Sequence, residues 1–118
     1  MVKPRQGDIY GVRFGVSGDS GLSGKRPAVI IQNDFLNISG INTTVVALLT
    51  SNLKLGQIPG NVLLPKGTGS LPKTSVVVVS QIATVDKNRL IEKIGTLSKE
   101  SREDVINGCQ MVISLSLF

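Results

Sequence analysis

Residues 75–85 read SVVVVSQIATV. Successive residues of an extended chain point to opposite sides, so four consecutive valines place branched side chains on both faces. β-Branched residues favour strands, and the run is far short of the roughly 20 apolar residues that a membrane helix needs. It reads as a strand of a soluble protein with apolar material to bury on each side.

Outward from this run the same signature recurs. DIYGVRF (8–14), PAVIIQ (27–32), TTVVALLT (43–50), GNVLLP (60–65) and RLIEKIGTL (89–97) are Val-, Ile- or Leu-rich or alternating, and turn residues bound each of them. GVSGDSGLSG (15–24) holds four glycines and three serines, which marks a mobile loop between the first two strands. SNLKLGQIPG and PKGTGSLPK are two further loops. After Leu97 the period changes: Val105, Cys109, Val112 and Ile113 fall on one helical face, with Ser98 placed as N-cap and acids in the first turns. Gly108 inside that helix costs about 1 kcal/mol relative to Ala, so a close neighbour is expected against it.

The chain has 118 residues, the size of one domain spanning 1–118. Hydrophobic residues make up 41% but aromatics only 3%, so Val, Ile and Leu must build the core, and a mainly β chain, barrel or sandwich, closed by a C-terminal amphipathic helix follows. Tyr10, Phe14 and Phe35 are the aromatics before the C-terminus, and core packing is the expected use of Phe14 and Phe35. The lone Cys109 makes no internal disulfide and is expected in the core, and MVKPRQGD has no apolar signal region. A cytoplasmic location is the expectation. The net charge is +5, and the excess of cations lies before Ser98. Such a field fits an anionic partner such as nucleic acid, or simply a solvated surface.

What is missing narrows the chemistry. There is no histidine, which excludes two-imidazole ribonucleases and His-assisted hydrolases. The carboxylates are scattered and only Glu103 and Asp104 adjoin, so neither a metal cage nor a cofactor is expected. The remaining toolkit of Arg, Lys, Ser and Thr suits RNA cleavage by the substrate's own 2′-hydroxyl. There the nucleophile is already in place, and the protein aligns it and neutralises the phosphorane charge. In GKRPAVIIQND (24–34), Arg26 stands between flexible Gly24 and rigid Pro27 at the mouth of a strand, either as such a charge or as an ordinary strand-end arginine. Gln32 and Asn33 at the other end either help hold the Arg26 loop or form a turn.

GDIYGV, the glycine loop, GKRPAVIIQND, VVALLTS and SQIATVDKNRLIEKIGTLS before a closing helix together resemble the MazF/PemK family of toxin endoribonucleases, over nearly the whole chain and in order. The resemblance implies an SH3-like β-barrel of the MazF/PemK/CcdB type. It implies a homodimer that cuts single-stranded RNA at short sequences without metal, leaving 2′,3′-cyclic phosphate and 5′-hydroxyl ends. A MazE-like antitoxin with an acidic C-terminal segment would restrain it. Carried over residue by residue, the catalytic arginine falls on Arg26 and the catalytic threonine on Thr50; Lys25 and Ser51 beside them, with Ser20, Gln81 and Thr84, form the implied RNA-contacting set. Gly21, Leu22, Ser80 and Ala83 stand where many members carry other polar or charged residues. A CcdB-type gyrase poison shares the fold, but those toxins end in a tryptophan motif and this chain has no Trp. A non-catalytic nucleic-acid-binding barrel is the other alternative.

Overall fold

The computed structural model of the chain describes residues 2–15 and 24–117. The strands are β1 (Asp8–Arg13), β2 (Lys25–Ile30), β3 (Thr43–Thr50), β4 (Val62–Leu64), β5 (Ser75–Asp86) and β6 (Leu90–Thr96). A short helix α1 (Asp34–Asn37) follows β2, and α2 (Lys99–Ile113) ends the fold. The sheet runs β4-β5-β3-β2-β1-β6 with each neighbouring pair antiparallel, and it curls into a half-barrel.

The Val-rich run is where the sheet turns. Ala47 of β3 faces Ile82 of β5, yet Leu49, two residues on, faces Val77. The extra residues of β5 bulge out of the ladder and bend the strand, as an insertion in one partner must. The first half of β5 therefore pairs with β4 and the end of β3, and the second half with the start of β3. Val76 to Val79 are all buried, which accounts for valine on both faces.

Alternation divides the core between the two faces of the sheet. Ile9, Val29 and Ala47 join Val77, Val79, Val105 and Cys109 under α2. Their neighbours Tyr10, Ala28, Ile30 and Val46 join Val12, Val85 and Leu90 on the other face, with half-buried Phe14 packed against them. Each fully buried Val, Leu or Ile contributes about 1.5–3 kcal/mol. Ser98 caps α2 by accepting from the Ser101 N–H. Gly108 is buried against β4's approach, where a Cβ would run into the Gly60 carbonyl, so the close neighbour expected of it is Gly60. The Thr68–Ser70 turn lies against β6 in the same way: a Cβ on Gly95 would meet the carbonyl of Gly69.

One expectation, for Phe35, is corrected and two others are refined. Val112 and Ile113 continue the apolar stripe of α2 but are exposed, past the buried Val105 and Cys109. Phe35 is 78% exposed, because it sits on α1, a turn of chain that composition alone did not reveal. Gln32 and Asn33 hold α1 and the start of β3 rather than the Arg26 loop. Asn33 caps Phe35 N–H, and Gln32 donates to Asn37 Oδ1 at 2.8 Å and to the Thr43 carbonyl at 3.2 Å. Among the described residues no helix is long and apolar enough to cross a membrane.

Candidate active site

Just before β2 the chain is tied to the end of β1: the Phe14 N–H donates to the Gly24 carbonyl at 2.8 Å. Pro27 then fixes its own φ, and Ala28, Val29 and Ile30 are fully buried. Arg26 thus stands, half-buried, on backbone paired with Val12 of β1 and anchored by the buried strand behind it. Ala28 faces Leu48, and the same register carried two residues on sets Arg26 opposite Thr50. Both project from the face that carries Ala28 and Leu48.

The Arg26 guanidinium makes one long hydrogen bond, Nη2 to the Leu49 carbonyl at 3.5 Å, on the peptide that leads into Thr50. Among the described residues the ion pairs are Lys25 with Glu92 and Lys93 with Asp8, so no described carboxylate neutralises Arg26. A guanidinium keeps its charge at any pH a protein survives and offers a planar fork of donors. Held rigid and unpaired at the edge of a core, it is a receptor for an oxyanion. Thr50 Oγ1 accepts a hydrogen bond from the Asn52 N–H at 3.2 Å. With that lone pair engaged, the hydroxyl proton is left to donate elsewhere.

Of the other sequence-selected residues, Ser51 follows Thr50 in an exposed turn. Gln81 leaves the β5 bulge exposed, opposite Leu48 if the Ala47–Ile82 register is extended by one. It shares a face with Ala83, which packs on the Ala28 side of the sheet. By register and alternation Arg26, Thr50 and Gln81 fall on the same face of the sheet, with Ser51 next in the chain after Thr50. Lys25 and Thr84 alternate to the opposite face: Lys25 pairs with Glu92, and Thr84 faces Val45. Ser20, with Gly21 and Leu22, lies outside the described residues. Asn52 escaped the sequence reading; its place two residues after a strand-ending threonine, in a turn, was the available signal.

Cys109 and the acids add no second site. Burial pushes the Cys109 thiol pKa up, which keeps it protonated and weakly nucleophilic. Asp8 accepts from Arg5 N–H and Thr96 Oγ1 at 2.9 Å each and serves the β1–β6 junction. Among the described residues no three His, Cys, Asp or Glu side chains converge.

Residues 5–113 match the family described as PemK-like, MazF-like toxin of type II toxin-antitoxin system. The chain belongs to this family. Among its relatives, endoribonuclease MazF2 of Mycobacterium bovis is 36% identical over 108 residues, covering 92% of this chain and 95% of that protein. Endoribonuclease MazF of Staphylococcus saprophyticus is 38% identical over 111 residues, or 94% and 92% of the two chains. The MazF-like fold is equally plain. A mycobacterial endoribonuclease solved in complex with its cognate antitoxin superposes with a TM-score of 0.77 at 21% identity, over 98% of this chain and 99% of that one. MazF in a MazE–MazF crystal from Deinococcus radiodurans gives 0.75 at 20% identity, over 98% and 100%.

Proposed function

We propose that this MazF-like chain is the toxin of a toxin–antitoxin pair and a metal-independent endoribonuclease that cuts single-stranded RNA at short sequences. The reading rests on one observation above all: an Arg26 that no described carboxylate pairs, set opposite Thr50 when the strand register is carried on. The 2′-hydroxyl oxygen of the ribose attacks the adjacent phosphorus as its proton passes to solvent water, the P–O5′ bond breaks, and the 5′-oxygen of the next nucleotide leaves and takes up a proton. The products end in 2′,3′-cyclic phosphate and 5′-hydroxyl. Charge gathers on the non-bridging oxygens of the phosphorane, where the Arg26 fork binds them more strongly than in the ground state. The Thr50 hydroxyl donates to the same oxygens or toward the leaving oxygen. Ser51 and Gln81 flank the phosphate path, and Ser20, Lys25 and Thr84 extend the RNA-contacting set beyond it.

The relatives named endoribonuclease support the RNA substrate, and the neighbours solved with antitoxins support an antitoxin partner, whose acidic segment would lie over Arg26. A second copy of the chain covers the apolar surface around Leu63 and the end of α2. The cytoplasm, where RNA is met, is the place of action.

Purified protein incubated with a mixed-sequence RNA in EDTA should give discrete cuts. A single 2′-deoxy substitution 5′ of a mapped cut should abolish cleavage there. Cutting of the deoxy substrate, or loss of all cutting in EDTA, overturns the mechanism. A protein that binds RNA and leaves it whole overturns the enzymatic reading.

A further inference from the structure

The stems of the loop at 16–23 are both held by one short segment, the Lys87–Arg89 turn and the start of β6. Arg89 Nη1 donates to the Gly15 carbonyl at 2.6 Å, across a sequence separation of 74 residues. Three residues later Glu92 pairs with Lys25, the residue next to Arg26. The Lys25 side chain reaches Glu92 by passing over Gly11 of β1, where a Cβ would strike its Cε. Between these two anchors the Phe14 N–H bonds the Gly24 carbonyl and closes the neck. The Lys25 and Glu92 side chains are each about half exposed (52% and 54%), and such pairs contribute little to stability. Their placement therefore serves something other than folding.

From this we infer that Arg89 and Glu92 are positioning residues for the cleavage site. Arg89 fixes the incoming stem of the loop and Glu92 the outgoing one, and together they set the angle and depth at which Arg26 enters the site. Such a brace matters because a transition-state donor displaced by about 1 Å loses on the order of a hundredfold in rate, and it adds side-chain anchors to the β1–β2 ladder, which pairs Val12 with Arg26 and Arg13 with Lys25, and to the Phe14–Gly24 bond. This inference rests on the endoribonuclease reading, but its first consequence is measurable without RNA.

The test uses the full chain and the variants Arg89→Ala, Arg89→Lys and Glu92→Gln, with the paired exchange Lys25→Glu, Glu92→Lys. Amide hydrogen exchange of the RNA-free protein should quicken about tenfold or more at Phe14 in Arg89→Ala, while amides in the middle of β3 keep their wild-type rates. On a fluorogenic RNA carrying a mapped cut, kcat should fall about tenfold with KM little changed, because alignment in the transition state is lost rather than affinity. Arg89→Lys, which still presents a donor to the Gly15 carbonyl, should recover most of both. Glu92→Gln should act in the same direction more weakly, and the paired exchange, which keeps an ion pair at the two positions, should return the Phe14 amide to its wild-type exchange rate. Wild-type exchange at Phe14 in Arg89→Ala overturns the brace. So does faster exchange with unchanged kcat, or a fall in kcat that the lysine variant fails to relieve. Should wild-type protein cut no RNA at all, the endoribonuclease reading fails by that result, and with it the cleavage role of the brace, while the exchange data still show whether Arg89 holds the loop.

Discussion

Arg26 differs from most of the cations for which the structure shows a partner. Lys25 and Lys93 meet carboxylates, and Arg89 and Lys87 donate to carbonyls at 2.6 and 2.9 Å, whereas among the described residues the Arg26 side chain, like that of Arg5 on the Pro4 carbonyl, makes only a long contact, to the Leu49 carbonyl. Removing it should therefore cost the fold almost nothing and the reaction a great deal. Arg26→Ala should lower cleavage by about a hundredfold or more, as loss of one preorganised donor does, with an unchanged melting curve. Arg26→Lys should restore little, because a point charge cannot grip two oxygens at once. Thr50→Val should slow cleavage as well while keeping the strand. Full activity in Arg26→Ala would mean that another cation meets the phosphate. This residue was legible in the sequence because its setting is local: a flexible glycine, a fixed proline and a buried strand within six positions. The role of Gln32 was not, since its partners Asn37 and Thr43 belong to a helix turn and a strand that only the folded chain brings near.

At the scale of elements, the strand runs and the closing helix could be read from hydrophobic period and turn residues, whereas the bend in β5 could not. SVVVVSQIATV contains no Gly or Pro to mark a break; the bulge arises because one strand must serve β4 on one side and both halves of β3 on the other. The contact of α2 with β4 is likewise tertiary, and it makes a prediction of unusual sign. Gly→Ala inside a helix ordinarily stabilises by about 1 kcal/mol. At Gly108 the new methyl would press on the Gly60 carbonyl and on Val79, and overpacking of that kind costs about 1–3 kcal/mol. Gly60 itself has φ of +88° and cannot readily give way. Urea unfolding of Gly108→Ala should show a lower midpoint at an unchanged slope. A raised midpoint would mean that α2 lifts off β4 at no cost.

The whole molecule has more apolar surface than one curled sheet and one helix can cover. Leu63 of β4 and Met111 of α2 line one groove together with Gly60, Asn61 and Gly108, and Val112 and Ile113 continue it exposed. Contiguous apolar surface at a sheet edge beside a helix end is the material of a symmetric interface, in which the same patch meets itself across a two-fold axis. Sedimentation should accordingly show a dimer at micromolar concentration. Val112→Asp would place an unpaired charge in that interface, a change that is strongly unfavourable, yet the residue lies outside the packed face of α2, so the monomer's fold should survive. The variant should sediment as a folded monomer, and its cleavage should fall if the RNA path is completed by the second copy. The same dimer would present two copies of Arg26 in a field of net charge +5 per chain. An acidic antitoxin segment should compete with RNA for it and weaken as salt rises, since the Debye length is about 10 Å at 0.1 M. If Val112→Asp remains a dimer of wild-type affinity, the chain associates through another face; if the acidic segment and RNA bind together, inhibition does not pass through Arg26.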